Sequence, residues 1–195
     1  LVFACGNVPG FVLGVEICED LWMPLPPSSD QALAGATVLT NLSASNEVMG
    51  KAGYRRQLVM GQSGRCLAGY VYSSCGVGES TTDVVFGGHC LIAENGALLA
   101  ESERFRRGDQ LLVADLDLDR LVHDRVQTNG FNDSRREGVP FRRVAFDLEV
   151  SPREPRLIRM VEAHPFVPAD PATRDDRCRE IFQTQVAALS RRLAH

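Results

Sequence analysis

The residues best suited to chemistry lie in one short stretch, GFVLGVEICEDLW, from Gly10 to Trp22. An apolar run broken only by Gly14 and Glu16 ends on a thiol, Cys18, and Glu19, Asp20, Leu21 and Trp22 follow at once. A thiolate rather than a thiol attacks carbon, and a cation, a protonated histidine or a helix N-terminus is needed to favour the anion near neutral pH. Glu16, Glu19 and Asp20 carry the wrong sign for that task, so an activating charge must come from elsewhere in the fold. The four histidines, His89, His123, His164 and His195, are distant in sequence, and no local signature pairs one with Cys18. Placement nonetheless favours function. In layered α/β proteins, reactive side chains emerge from the C-terminal ends of strands with a fixed aim. Cys18 ends one expected strand, and Ser43 and Ser45 lie at the end of the next, in VLTNLSAS.

The elements that must position these ends alternate. A strand is expected over 10–18, apolar enough to be covered on both faces. A short helix follows Pro26 and Pro27 and runs to about Gly35, with Ser28 or Ser29 as its cap. A second strand covers about 36–42. A helix over 51–68 would bury Leu58, Val59, Cys66 and Leu67. GYVYSSC reads as a third strand, which completes an α/β pattern. Further on, DVVFGGHCLIAENGALLAESERF reads as a hairpin turning at Asn95-Gly96, two residues that both accept positive φ. DQLLVADLDLDRL adds another expected strand, with a short helix over 119–127. Residues 128–151 are rich in Arg, Asn, Asp and Gly and read as an irregular arm. Beyond His164, the prolines Pro165, Pro168 and Pro171 favour extended backbone. Asp170 or Thr173 then caps a last helix, with Cys178, Ile181, Phe182, Gln185, Val186, Leu189 and Leu193 on one face.

Bulk properties narrow the function. The 195 residues are 44% hydrophobic and 24% charged, with a formal net charge of −4. That suits a soluble globular protein and argues against nucleic acid or anionic membrane as partners. The six cysteines form no CxxC pair, so no zinc site is expected. Free thiols in a reducing cytoplasm are the expectation, most of them small core residues.

Three motifs carry a resemblance. GVEICEDLW, NLSASN and GESTTDVVFGGHCLIAENGALLAESERF together resemble the glutaminase domain of the glutamine-dependent NAD⁺ synthetases, within the nitrilase (carbon–nitrogen hydrolase) superfamily. The closing HPFVPADPATRDDRCREIFQTQVAALSRRL is similar to the beginning of the ammonia-dependent synthetase domain of those enzymes. The resemblance implies part of an α-β-β-α sandwich over 1–127, a connecting arm over 128–163, and the first helix of a second domain over 164–195.

It also implies a reaction. Cys18 would attack the side-chain amide of glutamine, form a thioester and release ammonia, and water would then regenerate glutamate. The family's Glu and Lys partners lie ahead of the EICED cysteine, and none of the seventeen residues before Cys18 is Lys or Arg, so neither partner is assigned. Glu19, Trp22 and Ser45 would border the substrate, and Lys51 and Arg55 would hold its carboxylate. The pyrophosphate loop SGGxDS is absent from the chain. The expectation is therefore a fragment, inactive alone, whose parent uses ATP and Mg²⁺ in its synthetase domain and assembles into a homo-oligomer. A stand-alone nitrilase-type amidase and a non-catalytic fragment are the alternatives.

Overall fold

The computed structural model describes residues 1–134, 140–150, 156–161, 164, 167–168 and 170–194. Parts of the expected arm, and Pro165, lie outside the described residues. The chain divides into two units, Leu1–Ile158 and Arg159–His195.

The first unit is built on one seven-stranded sheet. Its strands are β1 (Val2–Cys5), β2 (Val12–Ile17), β3 (Val38–Ser43), β4 (Gly69–Ser74), β5 (Leu91–Glu94), β6 (Ala97–Glu101) and β7 (Arg143–Phe146). The spatial order is β6-β5-β4-β3-β2-β1-β7. The middle strands β2, β3 and β4 are parallel, linked by the helices α1 (Pro27–Leu33) and α2 (Lys51–Cys66). Such crossovers require a helix between strands, as the alternating pattern predicts. Outward from this centre, β1 runs antiparallel to β2, and β5 and β6 form the expected hairpin on the other side. Asn95 and Gly96 turn that hairpin at φ 46° and 85°.

Both helices lie on the sheet face formed by Gly14, Glu16, Leu39, Asn41, Tyr70, Tyr72, Leu91 and Ala93 (α1 against β2, α2 against β4 and β5). Gly14 permits the close approach of α1, because a Cβ there would collide with the Gln31 side chain. The core gathers Leu39, Val59, Tyr70, Tyr72 and Leu91, all fully buried. Burial of one such side chain is worth roughly 1.5–3 kcal/mol. The opposite face is open only toward the ends of β2 and β3, where Ile17 is 63% and Leu42 60% exposed; Val38 and Ile92 on the same face are buried. The apolar run of β2 therefore reads as two covered faces, but helices cover only one. Among the described residues no second sheet packs on the other.

Four local expectations are corrected. The cap of α1 is neither Ser28 nor Ser29: the helix starts after Pro26, and the Glu16 carboxylate accepts the Ser28 N–H at 2.8 Å. The expected strand in DQLLVADLDLDRL joins no ladder among the described residues. It crosses as extended chain, with Leu116 against Gly69, into α3 (Leu118–Gln127). The expected irregular arm instead holds α4 (Asn129–Asp133) and β7, which pairs parallel to β1 from Val2↔Arg143 to Cys5↔Phe146. Only a distant partner strand defines β7, so local periodicity misses it. In α2, polar Gln62, Ser63 and Arg55 join Val59 and Cys66 on the buried face.

The second unit contains α5 (Pro171–Leu193), capped by Asp170, whose carboxylate accepts the Thr173 N–H at 2.8 Å. Its apolar side chains Ile181, Phe182, Val186, Leu189 and Leu193 are exposed. Among the described residues no helix is long and apolar enough to cross a membrane.

Candidate active site

Cys18 stands where β2 ends, as the first residue of a 3-10 turn, Cys18–Trp22. Its φ of 51° lies in the left-handed region, which costs a non-glycine residue about 1–2 kcal/mol. Surrounding groups hold the turn. Asp20 folds back so that its carboxylate accepts the Ile17 N–H at 2.8 Å, and Leu21 is buried beneath. From β3, Asn41 binds the backbone of Cys18 on both sides: its Oδ1 accepts the Cys18 N–H at 3.1 Å and its Nδ2 donates to the Cys18 carbonyl at 3.3 Å.

The fold disperses the acids around the thiol. Glu16 points into the core, where its carboxylate takes the Ser28 N–H and the Tyr70 hydroxyl. Asp20 is used in the turn. Glu19 alone of the three lines the cavity in front of Cys18. That cavity, of about 380 Å³, is bounded by Cys18, Glu19, Trp22, Ala44, Ser45, Asn46 and Lys51. It is open enough for a small amide and offers it a thiol, a carboxylate, a hydroxyl, an amide and an ammonium group.

Lys51 begins α2. Its Nζ donates to Asn46 Oδ1 at 2.6 Å and sits 5.3 Å from the centroid of Trp22, which packs on Tyr54 at 5.4 Å. Burial lowers the pKa of Lys51 from its ordinary value, and the neighbouring Arg55 charge adds to this. The ammonium is thus fixed on the rim by a hydrogen bond and a cation–π contact. Ser45 is 4% exposed, and its Oγ accepts from Arg55 Nη2 at 3.2 Å. Guanidinium only donates, so the Ser45 proton is available to an acceptor in the cavity.

Five of the six expected site residues, Cys18, Glu19, Trp22, Ser45 and Lys51, therefore meet around one cavity. Arg55 does not. Expected to hold a substrate carboxylate, it is fully buried behind Ser45, and its Nη1 donates to Glu47 Oε1 at 3.0 Å and to His89 Nδ1 at 2.9 Å. One turn of helix places Lys51 at the rim and Arg55 in the core. Ser43 also turns away, accepting from the Tyr72 hydroxyl at 2.8 Å. Sequence reasoning passed over Asn41 and His89. Asn41 sits at a core-facing position of an apolar strand, and that polar break in NLSAS was the available signal; His89 had none.

A strained strand-end thiol, a clamp on its backbone and a polar cleft before it thus meet at one end of an α/β sheet. The sequence pattern of the family described as carbon-nitrogen hydrolase matches residues 2–125. The chain belongs to the carbon–nitrogen hydrolase family. It is 50% identical over 197 residues to the glutamine-dependent NAD(+) synthetase of Mycobacterium tuberculosis, covering 99% of this chain and 29% of that protein. The human protein of the same name is 31% identical over 151 residues, 77% of this chain and 21% of its own length. The chain thus spans less than a third of the curated relatives it matches. Two solved structures share the fold. A glutamine-dependent NAD⁺ synthetase from Acinetobacter baumannii aligns at TM-score 0.52 and 24% identity over 62% of this chain and 22% of that one. A carbon-nitrogen hydrolase from Helicobacter pylori G27 aligns at TM-score 0.52 and 22% identity, over 64% and 46%.

Proposed function

We propose that this chain is part of a glutamine-hydrolysing NAD⁺ synthetase and carries its amide-cleaving nucleophile. One observation supports this above others: the Cys18 thiol at the head of a polar cleft, in a chain half-identical throughout its length to a protein of that name. Cys18 attacks the glutamine amide carbon, the C–N bond breaks as nitrogen leaves with a proton as ammonia, and water releases glutamate from the thioester. Ser45 donates to the substrate, Lys51 binds its carboxylate, and Glu19 and Trp22 shape the cleft. The general base and the lysine of the family's site are supplied ahead of this cysteine, so the 195 residues alone do not turn over.

Ammonia then feeds an ATP- and Mg²⁺-dependent amidation of deamido-NAD⁺ by a synthetase domain, with the parent a homo-oligomer. No residue of this chain is assigned to ATP or Mg²⁺. A reducing, cytoplasmic setting suits six free cysteines.

The test is made in the full-length protein. Cys18→Ala abolishes synthesis driven by glutamine and leaves synthesis driven by added ammonia intact. If glutamine still drives synthesis in that variant, Cys18 is core filling and the reading fails. Ammonia release from glutamine by the isolated chain would overturn its assignment as an inactive fragment.

A further inference from the structure

Behind the cleft wall lies a polar chain that the amide chemistry leaves unused. Arg55, fully buried, extends from α2 and divides its donors three ways: Nη2 to Ser45 Oγ at 3.2 Å, and Nη1 to Glu47 Oε1 at 3.0 Å and His89 Nδ1 at 2.9 Å. Glu47 is held from its other oxygen by Arg104 at 3.2 Å. His89, fully buried on the segment before β5, reaches Glu101 Oε1 of β6 through Nε2 at 2.8 Å, and Arg56 grips the same carboxylate. Buried polarity is costly where it is left unsatisfied; Arg55 Nε lacks a partner, while the two terminal nitrogens of Arg55 and both ring nitrogens of His89 are bonded and so fix their mutual geometry.

The directions of these bonds are forced. Guanidinium has no acceptor, so His89 Nδ1 accepts from Arg55 and Nε2–H donates to Glu101. His89 is therefore neutral and in a single tautomer. Ser45 and Asn46, which line the cleft, belong to the same short loop as Glu47, and Lys51 is hydrogen-bonded to Asn46. The cleft wall thus hangs on Arg55, and Arg55 is oriented by His89.

Resting on the glutaminase reading above, we propose that Arg55 and His89 are positioning residues for amide binding, acting through Ser45 and the Ser45–Glu47 loop without touching the substrate. Ser45 contacts substrate in the ground state as well as in the transition state, so loosening it raises KM more than it lowers kcat.

A charged His89 breaks the arrangement. Protonation puts an N–H on Nδ1 opposite Arg55 Nη1–H, two donors face to face. The charged groups around the ring are Arg55 on α2, Glu101 on β6 and Arg104 beyond it, with Arg56 on the far side of Glu101 and Glu47 beside Arg55. Burial, the largest influence, lowers the pKa of His89 below 6.5. Glu101 opposes this; Arg55 and Arg104 add to it. The neutral form is thus the working form near pH 7.

The experiment measures glutamine hydrolysis by the full-length protein across pH 5–8 in the wild type, His89→Leu, His89→Asn, Arg55→Lys and Cys18→Ala. His89→Leu should raise KM for glutamine about tenfold at pH 7.5, the scale of one lost hydrogen bond to a charged group, with kcat within about twofold. His89→Asn keeps an acceptor toward Arg55 and cannot be protonated. It should recover most of the affinity and abolish the acid-side rise in KM seen in the wild type. Should His89→Leu fail to fold, Arg55→Lys, which keeps the charge but lacks the second nitrogen, reads the same KM change. Unchanged KM in these variants while Cys18→Ala is dead overturns this inference alone. Persistent hydrolysis in Cys18→Ala overturns the reading beneath it.

Discussion

The carboxamide of Asn41 closes both backbone hydrogen bonds of Cys18, accepting from its N–H at 3.1 Å and donating to its carbonyl at 3.3 Å. Asn41 is fully buried and Cys18 sits at φ 51°. A strained residue persists only where its surroundings over-determine it. The clamp supplies that constraint, so the direction of the thiol depends on a neighbouring strand.

Asn41→Leu keeps the branching and the number of heavy atoms and removes both bonds. In the full-length protein, glutamine hydrolysis should fall on the order of 100-fold, mostly in kcat, the scale of misplacing a reacting atom by about 1 Å. Steady-state kinetics check this; an unchanged kcat would show that the turn holds itself.

Lys51→Met removes the cation on the cleft rim and keeps a side chain against Trp22. The KM for glutamine should rise about tenfold, a charge-assisted hydrogen bond being worth about 1.5–3 kcal/mol. Lys51→Arg should restore part of it. KM values for the three proteins decide whether Lys51 meets the substrate carboxylate.

Thiol reactivity should be site-selective. Burial pushes the Cys66 thiol up to about 11, so it is almost wholly un-ionised at pH 7.5. Peptide mapping after brief alkylation of the native protein should find Cys66 unmodified and exposed Cys178 modified. Both should react once urea unfolds the chain. Labelling of native Cys66 would mean that the α1–α2 contact opens.

The Arg56–Glu101 pair supplies a pH signature for stability. Its bonds to Arg56 hold the Glu101 carboxyl below its ordinary value of 4.5. Folding is thus favoured above 4.5, where the unfolded carboxyl is also ionised, and the benefit is lost as pH falls through the folded value. Arg56 is 41% exposed, so solvent screening limits the effect to ~0.5 kcal/mol. Melting curves of Arg56→Met and wild type should differ slightly at pH 7 and draw together as the pH falls below 4.5 and through the folded value.

Glu16 is structural. Glu16→Ala would strand the Ser28 N–H and the Tyr70 hydroxyl in the core, at about 2–4 kcal/mol for two unpaired polar groups. Urea denaturation of the full-length variant measures it.

Residues read along the chain determined the elements whose signals are local. The apolar run ending on Cys18, the NG turn at 95–96, the proline-led helix after Pro26 and the Asp170 cap each carry their own conformational preference. They place Cys18 at a strand end and Ser45 just beyond the next. The destinations of side chains depended on packing between distant segments, and tertiary structure alone decided them. Glu16 and Glu19 are alike in sequence, yet one feeds a helix cap and the other faces a cleft. Lys51 and Arg55 lie one helical turn apart, yet one meets solvent and the other carries a buried network. β7 is a strand because β1 lies beside it, whereas 109–117 joins no ladder with the described strands. Backbone preference acts within a few residues, whereas burial and hydrogen-bond partners are set by neighbours up to 141 residues away, as between Asn7 and Leu148.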